Sequence, residues 1–599
     1  MAEEIRRADK RAELLALWLA DETLVPEADP SDAAYVAPRT AVEHTLADLL
    51  ASVLEVAPVG IDDDYFRLGG DSVHAVVIIA RLRAAGWQLM AQDLLDHRTI
   101  RAVADLVEPI DSHPEPAAGE PVQDLPLGPM QQGMLYHSVG GSSPGAYVVQ
   151  VDCVLRGPLD EAAFALAWRR VVAAHPALRV GFGFADGAAP RQAVRETVEL
   201  ALEFVDHRGM EEAQRAAELS RFLDADRDRG FDLSAPPLLR LTVFRESERV
   251  RRCVWTHHHL ILDGWSQQLV LRDVFECYDA ALRDVAVQVP RRADFSDYLR
   301  WYAHRDPDRD ERYWRGRLAD LAGPTPIAGP GCVDGRVVAV RREEAVLRIP
   351  DELAAAVRAR CRETGATFAA AVIGGWGLLL GALHERRDVV FGVTVSGRPA
   401  QVPGANDMVG MFVNTLPLRL GFTDATAVRD WPARTGAGIG ELVEHQQVPL
   451  SWVERAAGGG RSGLFDSIVV VENFPPRIDI DAPSARLRVS AVRAHIDEGY
   501  PLVLEVAVRP TPVLRVRYDP ARLTRARVET LLAALLDYSQ TFAAEPNTSL
   551  GALTDRMSER LTRQRDDAVA ARRERSLQGL ATARRRVAAS LTPGSEGKR

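Results

Sequence analysis

Near the middle of the chain stands Thr256-His257-His258-His259-Leu260-Ile261-Leu262-Asp263-Gly264, which contains the pattern His-His-x-x-x-Asp-Gly. The pattern suits acyl transfer, because an imidazole can take a proton from an attacking amine or alcohol. The aspartate can fix local geometry, and the glycine lets the backbone turn close to the reacting atoms. Val254-Trp255-Thr256, just before the histidines, reads as a buried strand. A cluster of buried histidines that satisfy one another explains the same residues, and the bare pattern does not separate the two readings.

Far upstream the chain reads Asp62-Asp63-Asp64-Tyr65-Phe66-Arg67-Leu68-Gly69-Gly70-Asp71-Ser72. Gly69 and Gly70 permit a tight turn, and Asp71 is a good helix cap. Val73, Val76, Val77, Ala80 and Leu82 then follow at helical spacing. Ser72 therefore falls at a helix N-terminus, where free backbone donors and the positive end of the dipole favour a phosphodiester. An ordinary Asp-Ser cap accounts for these residues without any ligand.

Together the two motifs resemble the nonribosomal peptide synthetases, with a peptidyl carrier protein followed by a condensation domain. The carrier resemblance rests on Asp63–Ser72 (DDYFRLGGDS) and covers residues 38–108. The condensation resemblance covers 124–545 and adds LPLGPMQQGMLYHS (Leu125–Ser138), HPALR (His175–Arg179), DFSDYLRWY (Asp294–Tyr302), VVFGVTVSGRP (Val389–Pro399), MVGMFVNTLPLR (Met408–Arg419) and FDSIVVVENFP (Phe465–Pro475). It implies a small all-α four-helix carrier bundle, then an α/β domain of two chloramphenicol-acetyltransferase-like lobes, about 124–335 and 341–545, with the site in a tunnel between them.

The resemblance also implies the chemistry. A 4′-phosphopantetheine arm on Ser72, flanked by Asp71 and Gly70, carries an acyl group as a thioester. His259 is the catalytic histidine, and His258 packs and hydrogen-bonds beside it. Asp263 forms a buried salt bridge to Arg398, and the backbone N–H around Gly264 is the candidate donor to the carbonyl oxygen in the transition state. An α-amine with a pKa near about 8 is already partly neutral at pH 7, so it needs less help from a base than an alcohol does.

Epimerisation of a carrier-bound aminoacyl group is the nearest alternative, because epimerases share the histidine motif. Their second acid–base motif, of Glu-Gly-His-Gly-Arg type, is absent, and Asp497-Glu498-Gly499-Tyr500 holds only an isolated Glu-Gly. A noncatalytic recruitment domain is the alternative from another class, against which the intact histidine motif counts. Heterocyclising relatives carry aspartates in place of the histidines. No phosphate loop of an adenylating domain is found, so the expected partners are a separate adenylation enzyme, a phosphopantetheinyl transferase, and either a downstream carrier protein or a free small-molecule acceptor.

The 599 residues, 47% of them hydrophobic, suffice for two to four domains. A net charge of −11 argues against general nucleic-acid binding. The first residues, Met1-Ala2-Glu3-Glu4-Ile5-Arg6-Arg7, are charged rather than signal-like, and no apolar run matches a membrane span, so the expected location is cytoplasmic. Cys153, Cys253, Cys277, Cys332 and Cys361 have neither paired nor metal-type spacing, and no metal site is expected. Residues 1–37 open with an amphipathic helix on which Leu14, Leu15, Trp18 and Leu19 share a face, either docking outward or packing on the carrier. Thr40-Ala41-Val42-Glu43 is a capping box. Pro109, Pro114, Pro116 and Pro121 mark 109–123 as a semi-extended linker, and Gly458-Gly459-Gly460 marks a mobile loop. Residues 546–599 read as a basic helical tail with Arg572, Arg573, Arg575, Arg584, Arg585 and Arg586, either solvated or docking on an acidic partner.

Overall fold

The computed structural model describes residues 35–109 except 55 and most of 66–96, and residues 123–563 except 141–144, 184–189, 284, 286–288, 291, 328–341, 458–462, 473–486 and 509–510. Gly70, Asp71, Ser72, the helix expected over 8–19, the linker body, Gly458–Gly460, Cys332 and the arginine-rich run beyond 563 lie outside the described residues. The chain divides into a small unit built mainly from residues 1–115 and a large one built mainly from 116–599.

In the small unit, helix α1 (Ala41–Leu54) starts at a reciprocal cap. Thr40 Oγ1 accepts from Glu43 N at 3.1 Å, and Glu43 Oε2 accepts from Thr40 N at 3.2 Å. The Arg39 guanidinium, 2.6 Å from Glu43, holds that carboxyl down to about 2. Strand β1 (Trp87–Gln88) pairs antiparallel with β2 (Glu108–Pro109), and the short helix α2 (Ile100–Val103) is capped by Thr99. Leu46, Leu50, Ile61, Tyr65, Ile78, Leu82, Ile100 and Val103 form one apolar core. Part of the Asp62-Asp63-Asp64 run is structural: Arg101 grips Asp62 with two hydrogen bonds of 2.5 and 2.7 Å, and Asp63 Oδ2 accepts from Gly60 N at 2.7 Å.

The large unit holds two mixed sheets, as an α/β chain of two lobes requires. Strand β3 (Gln123–Pro126) leads into helix α3 (Pro129–Gly140). Strand β4 (Val148–Arg156), helix α4 (Glu161–Ala174) and strands β5 (Val180–Gly183), β6 (Arg191–Val194), β7 (Ala201–Asp206), β8 (Leu239–Arg245) and β9 (Val250–His258) follow. Strands β3, β6 and β5 make a small separate sheet. Helix α5 (Gly264–Ala281) leaves β9 after a five-residue turn and packs on α4, where Tyr278 Oη accepts from Asp160 N at 3.0 Å. The second sheet draws on β10 (Glu343–Arg348), β11 (Asp388–Val395), β12 (Asn414–Gly421) and β13 (Ser467–Glu472), with helix α6 (Phe368–His384) ahead of β11. After β14 (Arg488–His495) come β15 (Leu502–Ala507), β16 (Val513–Tyr518) and helix α7 (Arg525–Ala544).

One strand leaves its own lobe for the other sheet. The second sheet runs β10-β16-β15-β13-β11-β12, while β14 lies in the first sheet, β14-β4-β9-β8-β7. Residues 488–495 thus cross from the second lobe and pair antiparallel with β4, Arg488 opposite Arg156 and His495 opposite Gln150. The division into two contiguous lobes is corrected accordingly. Strand alternation specifies faces, not partners, so the sequence carries no signal for this crossover.

A second correction concerns the C-terminal boundary. Helical residues 550–563 bury Leu550, Leu553, Met557 and Leu561 in the second lobe's core, so the packed region runs past 545. The cysteines are also less scattered in space than in sequence, since Cys153 and Cys253 are direct cross-strand partners on β4 and β9. Among the described residues no single helix is long and apolar enough to cross a membrane.

Candidate functional site

The histidines stand at the exit of β9, a central strand paired on both sides, by β4 and β8. Nearly every side chain from Cys253 to Asp263 is buried, which fixes the turn between β9 and α5 from both ends. Three adjacent imidazoles are thereby given different tasks. His257 lies against the Trp255 ring, with centroids 4.8 Å apart, and its Nε2 is 3.2 Å from Gln267. His258 Nδ1 accepts from Leu260 N at 3.2 Å, so the proton resides on Nε2, which lies 3.3 Å from Ser138 Oγ of α3. Both ring nitrogens of His258 are occupied, and burial lowers its pKa to about 3.

His259 is arranged the other way round. Its Nδ1 is 2.6 Å from the Leu262 carbonyl oxygen, which can only accept. Nδ1 therefore carries the proton and Nε2 presents a lone pair. Among the described residues nothing hydrogen-bonds to that Nε2, and the ring is partly exposed. Burial lowers the His259 pKa, partly offset by the Leu262 carbonyl and by the carboxylates of Glu498 and Asp263, so the ring is neutral at pH 7. The backbone of His259 is held too, its N–H donating to Tyr147 O at 2.8 Å. Tyr147 adopts φ +57°, a strained conformation for a bulky residue and a feature that clusters at functional sites.

Asp263 ends this turn and starts α5. Its Oδ1 accepts from Ser266 N at 2.7 Å as the helix cap, and its Oδ2 accepts from Phe412 N at 3.1 Å. Arg398 Nη2 lies 3.2 Å from Oδ1 and 3.3 Å from Oδ2, and also donates to Ser266 Oγ at 2.8 Å. The Arg398 side chain is 2% exposed and that of Asp263 is fully buried. Arg398 Nη1 donates to the carbonyls of Ala405 and Met408, and its guanidinium sits 4.1 Å from the Phe412 ring centroid. Gly397, at φ +65°, is required here, because a Cβ would collide with the Phe412 carbonyl. Gly264 opens α5, so its N–H has no intrahelical acceptor and points its dipole out of the helix N-terminus.

The structure thus brings His258, His259, Asp263, Gly264 and Arg398 together, while Ser72, Asp71 and Gly70 lie outside the described residues. Sequence reasoning missed the Leu262 carbonyl, Ser138, Ser266, the Phe412 N–H, Tyr147 and Glu498. Ser138 and Phe412 fall inside quoted motifs, but nothing in a linear pattern marks which backbone group will meet which carboxylate.

With this geometry in place, comparison with known proteins decides the family. Residues 122–562 match the condensation domain family, and residues 44–107 match the phosphopantetheine attachment site family. The chain belongs to the condensation domain family. It is similar to one of the linear gramicidin synthase proteins of Brevibacillus parabrevis, 35% identical over 430 residues, which is 71% of this chain and 6% of that protein. It is also 32% identical over 413 residues to chondramide synthase of Chondromyces crocatus, covering 68% of this chain and 10% of that synthase. The chain therefore spans only a small fraction of these relatives. In fold it is similar to the first condensation domain of the calcium-dependent antibiotic synthetase, with a TM-score of 0.61 and 22% identity over 72% of this chain and 99% of that one. The two-lobed α/β condensation fold is common to both.

Removing Asp263 should leave Arg398 buried without its counter-charge, a loss of roughly 3–5 kcal/mol. Asp263→Ala is expected to show a lowered urea midpoint even where no substrate is present, and an unchanged midpoint would contradict this role. A second outcome concerns pH. The folded-state pKa of His258 is about 3 while an unfolded histidine titrates near about 6.5, so below pH 6.5 the unfolded chain takes up a proton that the folded chain refuses. Stability from this group is full above pH 6.5 and falls at up to about 1.4 kcal/mol per pH unit toward pH 3. Urea melts of His258→Asn between pH 7 and pH 5 should show a shallower pH slope than the unaltered chain.

Proposed function

We propose that this chain carries an acyl or peptidyl group as a thioester on a 4′-phosphopantetheine arm at Ser72, and that its condensation domain transfers the group to an amine or hydroxyl acceptor to form an amide or ester. The observation that carries the reading is the His259 imidazole, with Nδ1 tied to the Leu262 carbonyl and Nε2 open among the described residues. The family matches support the same order of a phosphopantetheine attachment domain followed by a condensation domain.

The small unit fits such an arm. Tyr65 and Ile78, both fully buried in its core, anchor the two ends of the stretch in which Ser72 falls, and a serine hydroxyl is the group a phosphodiester needs. The arm supplies a tethered thiol for the acyl group. On this reading His259 Nε2 accepts the proton that the attacking nucleophile loses, a contribution typically worth about 10²–10⁴-fold. His258 has no free nitrogen for that task and positions its neighbour instead. Asp263 holds the turn, and the Gly264 N–H is the donor offered to the carbonyl oxygen. A separate adenylating enzyme loads the arm that a phosphopantetheinyl transferase installs. The acceptor is a downstream carrier's aminoacyl group or a free small molecule.

The test uses the intact chain. A phosphopantetheinyl transferase with coenzyme A should add one arm, and Ser72→Ala should abolish the gain in mass. His259→Ala should leave arm attachment and loading intact while slowing transfer by about 10²-fold or more. Transfer within about threefold of the unaltered chain would remove His259 as the base. Loss of acyl only as free acid, or exchange of the α-hydrogen without any acceptor, would replace transfer with hydrolysis or epimerisation.

A further inference from the structure

The crossing strand delivers a charged loop to the histidines. Strand β14 ends at His495, paired with Gln150, which is in turn paired with Thr256 of β9. Continuing in the same direction, β4 runs back from Gln150 to Tyr147, whose carbonyl receives the His259 N–H at 2.8 Å. The residues after His495 therefore pass beside Tyr147 and the exit of β9. Two arginines pin them there. Arg342 donates to Asp497 Oδ1 at 2.7 Å and to the Tyr500 carbonyl at 2.5 Å. Arg517 reaches the Ile496 carbonyl and lies 2.6 Å from Glu498 Oε1. Gly499, at φ +78°, makes the turn that follows.

The ion pairs of this cluster are shared. Arg517 is shared between Glu498 and Glu505, each at 2.6 Å, and Arg515 is shared between Glu505 and Glu344, each at 3.2 Å. Among the described residues three carboxylates share these two guanidiniums, and Asp497 pairs with Arg342. Glu498 is felt at the site: it acts against burial to raise the His259 pKa, and with Asp497 it adds to the burial that raises Tyr147. Glu498 keeps 16% of its side chain exposed, unlike the sealed Asp263. An ion pair needed only for folding does not require that opening.

We propose that Glu498 is a binding residue for the acceptor, receiving its ammonium group beside His259 and so favouring amine over hydroxyl nucleophiles. The proposal rests on the transfer reading above. An α-amine with a pKa near about 8 arrives mostly as an ammonium ion at pH 7 and meets a carboxylate there. It releases one proton to solvent, the neutral nitrogen attacks the thioester carbon, and the C–N bond forms as the C–S bond breaks. The nitrogen's surplus proton passes through His259 Nε2 to the departing sulfur, which leaves as a thiol. An alcohol presents no positive charge to Glu498 and gains nothing from it.

The experiment compares two probes of one shape, the alanine thioester of N-acetylcysteamine and the matching lactate thioester, with the armed, acyl-loaded chain and with its Glu498→Gln variant. Binding is followed by saturation-transfer NMR and transfer by mass spectrometry. Glu498→Gln should weaken binding and raise KM for the alanine probe about tenfold, change the lactate probe less than twofold, and leave kcat within about threefold. Glu498→Asp should recover part of the loss. Equal losses for both probes would mark Glu498 as structural and overturn the proposal, as would no loss for either. If the alanine probe binds in a Glu498-dependent way but no transfer product forms, the transfer reading falls while the binding assignment stands.

Discussion

Asp263 is the constraint on which the rest of the site depends. A carboxylate with no exposed surface is tolerated only when it is fully paired, and here it receives the Ser266 and Phe412 amides together with the Arg398 guanidinium. The Ser266 amide belongs to the first turn of α5 in the first lobe, which Asp263 caps, and the other two partners come from the segment around β11 and β12 in the second. The same few atoms therefore set where the helix begins, how the two lobes meet, and where the turn carrying His259 is held. Gly397 belongs to this arrangement, since only a residue without a Cβ lets Arg398 approach past the Phe412 carbonyl.

Above that anchor, neighbouring imidazoles are distinguished by what each ring nitrogen meets. His258 has its lone pair consumed by the Leu260 amide, whereas His259 has its proton consumed by the Leu262 carbonyl. A difference of one residue in the strand exit inverts the tautomer and leaves a single basic nitrogen open. Burial keeps both rings neutral at pH 7, and the Glu498 carboxylate limits how far His259 is depressed. The site is thus a neutral acceptor of protons with the Glu498 carboxylate acting on it, an environment suited to an amine that arrives protonated.

Much of this is legible in the sequence where the cause is local. The Thr40–Glu43 cap and the buried strand ahead of the histidines follow from side-chain type and spacing, while the separation of a small unit from a large α/β one is implied by the family resemblance. The pairing of Asp263 with Arg398 is suggested only through the family resemblance, because 135 residues separate them. The crossover of β14 leaves no trace in the pattern: its alternation is that of any half-exposed edge strand, and Arg488 and Arg493 suit such an edge. Glu498 consequently reads as an isolated Glu-Gly, since its importance comes from the sheet that β14 joins and not from its neighbours in the chain. The helical character of residues 550–563 is read from the sequence but their burial is not, as Leu550, Leu553, Met557 and Leu561 are sparse among charged residues yet fall on one face.

The claim that a neutral His259 presents Nε2 as the base can be tested directly by long-range ¹H–¹⁵N NMR of the histidine-labelled chain at pH 7, with His259 assigned by its loss in His259→Gln. The account predicts a protonated Nδ1 and an unprotonated Nε2 for His259, with the opposite pattern for His258. A His259 ring protonated on Nε2, or on both nitrogens, would contradict it.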